Sequence, residues 1–207
     1  MTRAKPDKPR HHGDLKKALV EAGIELLLQG GVSALTLRKC AARAGVSHAA
    51  PAHHFNGIKG LQTAIATVGF TEFTATMIRY RNAAPDDPFS RLAAIARGYL
   101  AFARDNEAMA TLMFMKDQVF FDDPELQAAS DAAYRVLAET CAPFEPGPGG
   151  PKATEVMIWS LVQGYASLTR TGQVDAAETP FEDFLPLLGL EPRQPVNDSA
   201  EPASEMR

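Results

Sequence analysis

Residues 36–55 read TLRKCAARAGVSHAAPAHHF, and the reading of these twenty positions decides the fold. Thr36 is a capping type and predicts a helix over Leu37 to Ala44. Gly45 supplies the left-handed backbone of a sharp turn, and Ala41 and Ala44 are small enough for two helices to cross closely. Val46 is expected in a small core with Leu37 and Cys40. Ser47 is a second capping type, opening a third, short helix that stops near Asn56–Gly57 and presents its first residues outward. Pro51 is tolerated only near a helix start, where the backbone N–H has no intrahelical partner. With His48 as the cap, Pro51 lies in that free region. With Ser47 as the cap, it removes the first true helical bond. Either way this is the layout of a helix-turn-helix, although similar helix pairs occur in proteins that never touch DNA.

Working outward, helical spacing recurs and no sustained alternation of apolar and polar residues predicts a strand. A first helix starts near Asp14, with Leu15, Leu19, Ala22 and Leu26 as its apolar stripe, and ends at the glycines of QGG. A long helix follows from about Ile58 to Arg81 and is broken by NAAPDDP. Further helices are expected over 89–104, 107–115, 125–141, 152–171 and 180–188, with APFEPGPGGP as a loop. The fold class is therefore all-α: a three-helix helix-turn-helix domain followed by a larger helical body. The expected division is an N-terminal arm and helix-turn-helix over 1–57, a helical body over 58–190, and a tail over 191–207 too polar and proline-rich to fold.

The chain has 207 residues and a formal net charge of −4, but the charge is divided. Residues 1–60 hold ten Lys and Arg against four Asp and Glu, a net +6, while the remainder carries −10. All five histidines fall in the basic block. A basic head on an acidic body points to a polyanion partner for the head alone, against the plainer reading of a solvated basic surface. No apolar run is long enough to span a membrane, and the basic N-terminus has no apolar segment behind it to make a secretory signal. Cys40 and Cys141 match no metal or disulfide spacing, which suits a reduced, cytoplasmic setting. There is no nucleophile elbow, phosphate-cradling glycine loop or zinc motif, so neither an enzyme nor a cofactor is expected. The alternative is a metal-dependent or enzymatic helical protein that uses the N-terminal histidines.

The stretch LVEAGIELLLQGGVSALTLRKCAARAGVSHAAPAHHFNGIKGLQTAI resembles the N-terminal DNA-binding domain of the TetR family of bacterial transcriptional regulators. The resemblance covers about 14–66, and its more specific parts are TLRKCAARAGVS, HHF and Leu61. It implies an all-helical homodimeric repressor with a C-terminal domain that binds a small-molecule effector. IWSLVQGYASL is similar to a segment around a W-x-x-x-H-G pattern in one branch of the family, with Gln163 at the histidine position. The chain departs from the family at Ala52, where a bulky aromatic is common, and at His53–His54, where many members end in an aromatic. It departs again at Ile58, where a phosphate-holding lysine is usual and Lys59 stands one step late.

Site residues follow from both readings. Thr36 and the free N–H groups of its helix could donate to a phosphate, flanked by Arg38 and Arg43. Ser47, His48, Ala49 and Ala52 lie along the third helix, where His48, Ala49 and Ala52 are the expected base-edge readers. By family position His53 contacts phosphate and His54 turns inward or flanks the contact; Lys59 is a further phosphate contact. Lys5, Lys8 and Arg10 sit on an arm that tracks a groove or is a solvated tail. The helix over 152–171 is apolar nearly all round. Val156, Trp159 and Tyr165, with Phe181, Phe184 and Leu188, are the expected dimer interface, a two-fold arrangement suited to a near-palindromic operator. Phe102, Met109, Met113, Phe114 and Phe120, with Trp159 and Gln163, are the expected lining of an effector pocket, against the plainer reading of ordinary core.

Overall fold

The computed structural model describes residues 12–193, with side chains from Leu15 onward. Seven α-helices follow one another: α1 (His12–Gly30), α2 (Leu37–Arg43), α3 (Gly57–Ala83), α4 (Pro88–Asp105), α5 (Glu107–Met113), α6 (Pro124–Cys141) and α7 (Gly150–Arg170). Three 3-10 segments join them, Val32–Ala34, Ala50–His53 and Phe181–Leu188. The all-α expectation holds, and the only β feature among the described residues is a single bridge between Phe144 and Pro192.

Local chemistry explains most of the boundaries. Thr36 caps α2 by accepting the Lys39 N–H at 3.2 Å. The helix ends in a Schellman arrangement: Gly45, at φ 68°, donates to the Ala42 carbonyl, and Val46 donates to the Ala41 carbonyl. Asp87 caps α4 and Asp123 caps α6, each followed by a proline in the first turn, where a missing N–H costs nothing.

Four expectations need correction. The third element is a single 3-10 turn, Ala50–His53, rather than a helix from Ser47 to Asn56. Ala49 occupies its cap position without a side-chain bond, and Ser47 instead lends its carbonyl to the Ala50 N–H at 3.0 Å. The reason is Pro51, which has no N–H with which to continue an α-helical ladder from Ser47. The inward stripe of α1 runs through Leu19, Ala22, Gly23 and Leu27, leaving Leu26 half-buried, because α1 packs between α2 and α3. The last expected helix is 3-10, with Pro186 inside it. Finally, residues 191–193 are ordered. Glu145 donates to the Glu191 carbonyl and Arg193 to the Pro143 carbonyl, both at 2.7 Å, tying the chain back to the loop after α6. Residues 194–207 lie outside the described residues.

α3 organises the molecule. Its first turns, through Leu61 and Ile65, complete the core of the helix-turn-helix, with both side chains fully buried. Further along, Phe70, Phe73 and Met77 enter the core of the body, so one apolar cluster runs from Leu19 to Leu185. Close approach is built in at Gly98 of α4, where a Cβ would sit 3.1 Å from the Met77 Cα. The boundary expected at 57/58 falls at the first residues of this shared helix.

Candidate functional site

The outer surface of the head is made by α2 and the turn after it. Thr36, Arg38, Lys39, Ser47, His48, Ala49, Ala52 and His53 are all exposed. Pro51 and Phe55 are buried beneath them, so the proline anchors the turn and leaves the histidine and alanine side chains outward. His54 is half-buried, with its ring 6.4 Å from that of Phe55. The structure thus separates the adjacent histidines, one outward and one inward.

The basic residues divide. Arg38 and Lys39 have no ion-pair partner among the described residues. Arg43 is engaged within the fold. Its Nη1 lies 2.6 Å from Glu25 Oε2, and its Nη2 donates to Gln29 Oε1 at 3.0 Å. Arg43 therefore staples α2 to α1, and its expected place on a phosphate gives way to that role. Lys59 is also occupied: its ammonium lies 4.8 Å from the centroid of the Phe120 ring, across the joint between head and body. Lys5, Lys8 and Arg10 lie outside the described residues. Lys39 did not stand out in the sequence because it is one basic residue beside another; what separates it from Arg43 is that Arg43 is paired with Glu25 and Gln29.

Among the described residues no three His, Cys, Asp or Glu come together in a way that could hold a metal ion. Both cysteines are free and buried, and burial pushes the Cys141 thiol up to about 12. No described helix is long and apolar enough to cross a membrane.

The body holds a cavity of about 390 Å³, open to solvent and lined mainly by α3, α4, α6 and α7. Its walls are largely aromatic: Phe70 and Phe73 from α3, Tyr99 from α4, Tyr134 from α6, Trp159 from α7, and Phe114 and Phe121 from the segment after α5. Of the seven expected pocket residues, Phe114 and Trp159 line this cavity. Met109, Met113 and Phe102 are corrected to core: they are almost wholly buried, and both methionines fill the space over Gly69. Phe120 and Gln163 also fall outside it. Phe120 faces the joint with the head, and Gln163 faces a separate, more polar groove between α4, α5, α7 and the final 3-10 segment. Phe70, Phe73 and Tyr134 were missed because aromatic residues at helical spacing read as ordinary core.

The hydroxyl of Tyr134 donates to the buried Glu155 carboxylate, and the Lys152 ammonium lies 3.6 Å from the centroid of the same ring. Burial pushes the Tyr99 phenol up to about 12, opposed in part by a hydrogen bond with Trp159.

α7 turns a second face to solvent. Val156, Met157, Gln163, Gly164 and Leu168 are exposed along it, with Trp159 half-buried. In the following segment Leu187 is 79% exposed, and Phe184 and Leu188 are half-buried. Tyr165 and Phe181 are corrected from partner contact to protomer core. They are buried, their rings meet at 5.3 Å, and the Tyr165 hydroxyl donates to the Thr179 carbonyl at 2.8 Å.

Similarity to known proteins runs over both halves. Residues 19–65 match the family described as "Bacterial regulatory proteins, tetR family". Residues 92–188 match "Tetracyclin repressor-like, C-terminal domain". No curated protein sequence matches this chain. Among solved structures, a protein of unknown function from Rhodococcus sp. RHA1 is 28% identical, with a TM-score of 0.71 over 86% of this chain and 92% of that one. A TetR family transcription regulator from Marinobacter aquaeolei VT8 is 15% identical, with a TM-score of 0.64 over 87% and 97%. The TetR-like transcriptional regulator LfrR from Mycobacterium smegmatis, solved in complex with proflavine, is 18% identical, with a TM-score of 0.56 over 82% and 91%. With a helix-turn-helix head and a helical body that each match their own part of one family, this chain belongs to the TetR family of bacterial transcriptional regulators.

Proposed function

We propose that the protein is a ligand-responsive repressor that binds a near-palindromic operator as a homodimer and is released by a small, largely apolar effector. The observation that carries the reading is a bonded joint between the aromatic cavity and the head. The segment after α5 contributes Phe114 and Phe121 to the cavity wall. Between them, Phe120 donates its N–H to Thr63 Oγ1 at 2.9 Å, and Gln118 accepts from Gln62 Nε2 at 3.0 Å. Thr63 and Gln62 lie in the first turns of α3, next to the helix-turn-helix. A ligand that displaces Phe114 or Phe121 therefore pulls on the helix that carries the head. The effector must bind one arrangement of this joint better than the other, since only differential affinity shifts an equilibrium.

In this reading Arg38, Lys39, Thr36 and His53 contact phosphates, and His48, Ala49 and Ala52 face base edges. Such short side chains leave much of the specificity to apolar contacts, water and DNA shape. The exposed face of α7 meets its own copy through Val156, Met157 and Leu168, with Phe184 and Leu188 beside it. Gly164 allows close approach at its centre. A small-molecule ligand has a parallel in LfrR, which was solved in complex with proflavine.

The test is genomic footprinting with purified protein, followed by binding measurements on the protected sequences over a salt series. Sequence-selective binding that weakens steeply with salt supports the reading. Equal affinity for all duplexes, or stoichiometric metal with turnover in the absence of DNA, refutes it.

A further inference from the structure

We propose that the α3–α4–α6–α7 cavity takes an amphipathic monocarboxylate, its carboxylate at Lys152 and its apolar body lying along Trp159. This rests on the ligand-responsive reading above and specifies the chemistry of its effector.

Polar groups on the cavity wall are few. At one rim stand Ser130, Asp131 and Tyr134 from α6 and Lys152 from the first turn of α7. The Lys152 ammonium rests on the Tyr134 ring, and that ring is fixed because its hydroxyl is bonded to Glu155. No salt bridge within the described residues involves Lys152, so its strong donors are held in place with no anion to receive them. Seven residues further along α7, a rise of about 10 Å, stands Trp159. Tyr99 of α4 lines the same cavity as Trp159. With its phenol pushed up to about 12, Tyr99 stays a donor throughout the neutral range.

The cavity thus offers a cationic donor at its exposed edge, Trp159 about two helical turns further along α7, and the Tyr99 phenol on the α4 wall. Its complement is a molecule rich in acceptors at one end and apolar along its length. Charge-assisted hydrogen bonds beside low-dielectric walls are the stronger kind. Asp131 is the one acid on the cavity lining. Both it and Lys152 are exposed, but only Lys152 is held over an aromatic ring. A cationic ligand would use Asp131, which makes the two charges separable by mutation.

Trp159 is the single tryptophan in the chain and reports occupancy by its fluorescence. The experiment titrates the full-length protein with 4-phenylbutyrate, 4-phenylbutanol and 4-phenylbutylamine, which share one apolar body. The carboxylate is expected to bind about tenfold more tightly than the alcohol or the amine. Lys152→Met should reduce it to the level of the alcohol, Lys152→Arg should retain the preference, and Asp131→Asn should leave the order unchanged. Tightest binding by the amine, lost in Asp131→Asn, overturns the proposal. Equal binding of all three overturns it while leaving a ligand cavity standing. No response of Trp159 to any of them removes both the proposal and the effector-binding reading beneath it.

Discussion

Thr63 and Phe120 stand fifty-seven residues apart in sequence, yet the Thr63 hydroxyl accepts the Phe120 backbone N–H at 2.9 Å while donating to the Lys59 carbonyl at 2.7 Å. Thr63 is 3% exposed, so no water replaces these bonds when one partner is lost. Thr63→Val keeps the shape and strands a buried N–H, at a cost of about 1–3 kcal/mol. Urea denaturation should show that loss, and Thr63→Ser should recover part of it. If Phe120 transmits effector binding, the valine variant also keeps its operator affinity when the cavity is filled. Wild-type release from DNA by that variant would remove Phe120 from the route.

Arg38 and Arg43 are five residues apart and should behave differently. Arg38→Ala and Lys39→Ala are each expected to weaken binding to all DNA sequences alike and to reduce the salt slope by about one. Arg43→Ala should act mainly on stability, by about 0.2–1 kcal/mol, since it breaks a half-exposed pair with Glu25. A salt slope lowered by Arg43→Ala as much as by Arg38→Ala would return Arg43 to the DNA surface.

His48 is exposed at the start of the turn whose base is the buried Pro51. His48→Ala should therefore change base preference, read from the selected sequences of a randomised duplex pool, with little change in unfolding midpoint. An unchanged preference would mean that the turn meets the groove by another edge.

Leu168 is 46% exposed and Val156 40% exposed on one face of α7, an apolar cost that a partner copy would remove. Val156→Glu with Leu168→Glu should give monomers in sedimentation while preserving helical content, and should weaken operator binding. A dimer that survives both charges at low concentration would place the interface elsewhere.

Alkaline pH offers a separate check on the core. Burial pushes Cys141 and Tyr99 up to about 12 from ordinary values of 9.0 and 10.0, and it raises Tyr134 and Tyr165 as well. Each group is neutral when protonated, and the native state holds the proton more tightly than the unfolded chain. The associated stability is whole below the ordinary values and is lost as pH climbs toward about 12. Urea midpoints should fall across that window, less steeply in Cys141→Ala than in the wild type. A flat profile would show that these side chains reach water in the native state.

How much of this was legible in the sequence depends on how local the cause is. Thr36, Gly45, Asp87 and Asp123 act within three or four residues of themselves, through caps and one positive φ, so the helices they bound were readable from residue type and spacing. The divided charge and the helix-turn-helix spacing likewise pointed to the head as the part that meets a polyanion. What only the tertiary structure decided is which side chains are already taken. Arg43 is engaged by Glu25, Lys59 leans on Phe120, and Tyr165 and Phe181 close on each other, all through partners distant in the chain. The same holds for the cavity: Phe70, Phe73 and Tyr134 are ordinary core residues by pattern. They line a void only because α3 and α7 both pack against α4 and α6. Local backbone chemistry is written along the chain, whereas pairing and empty space are properties of packing between segments.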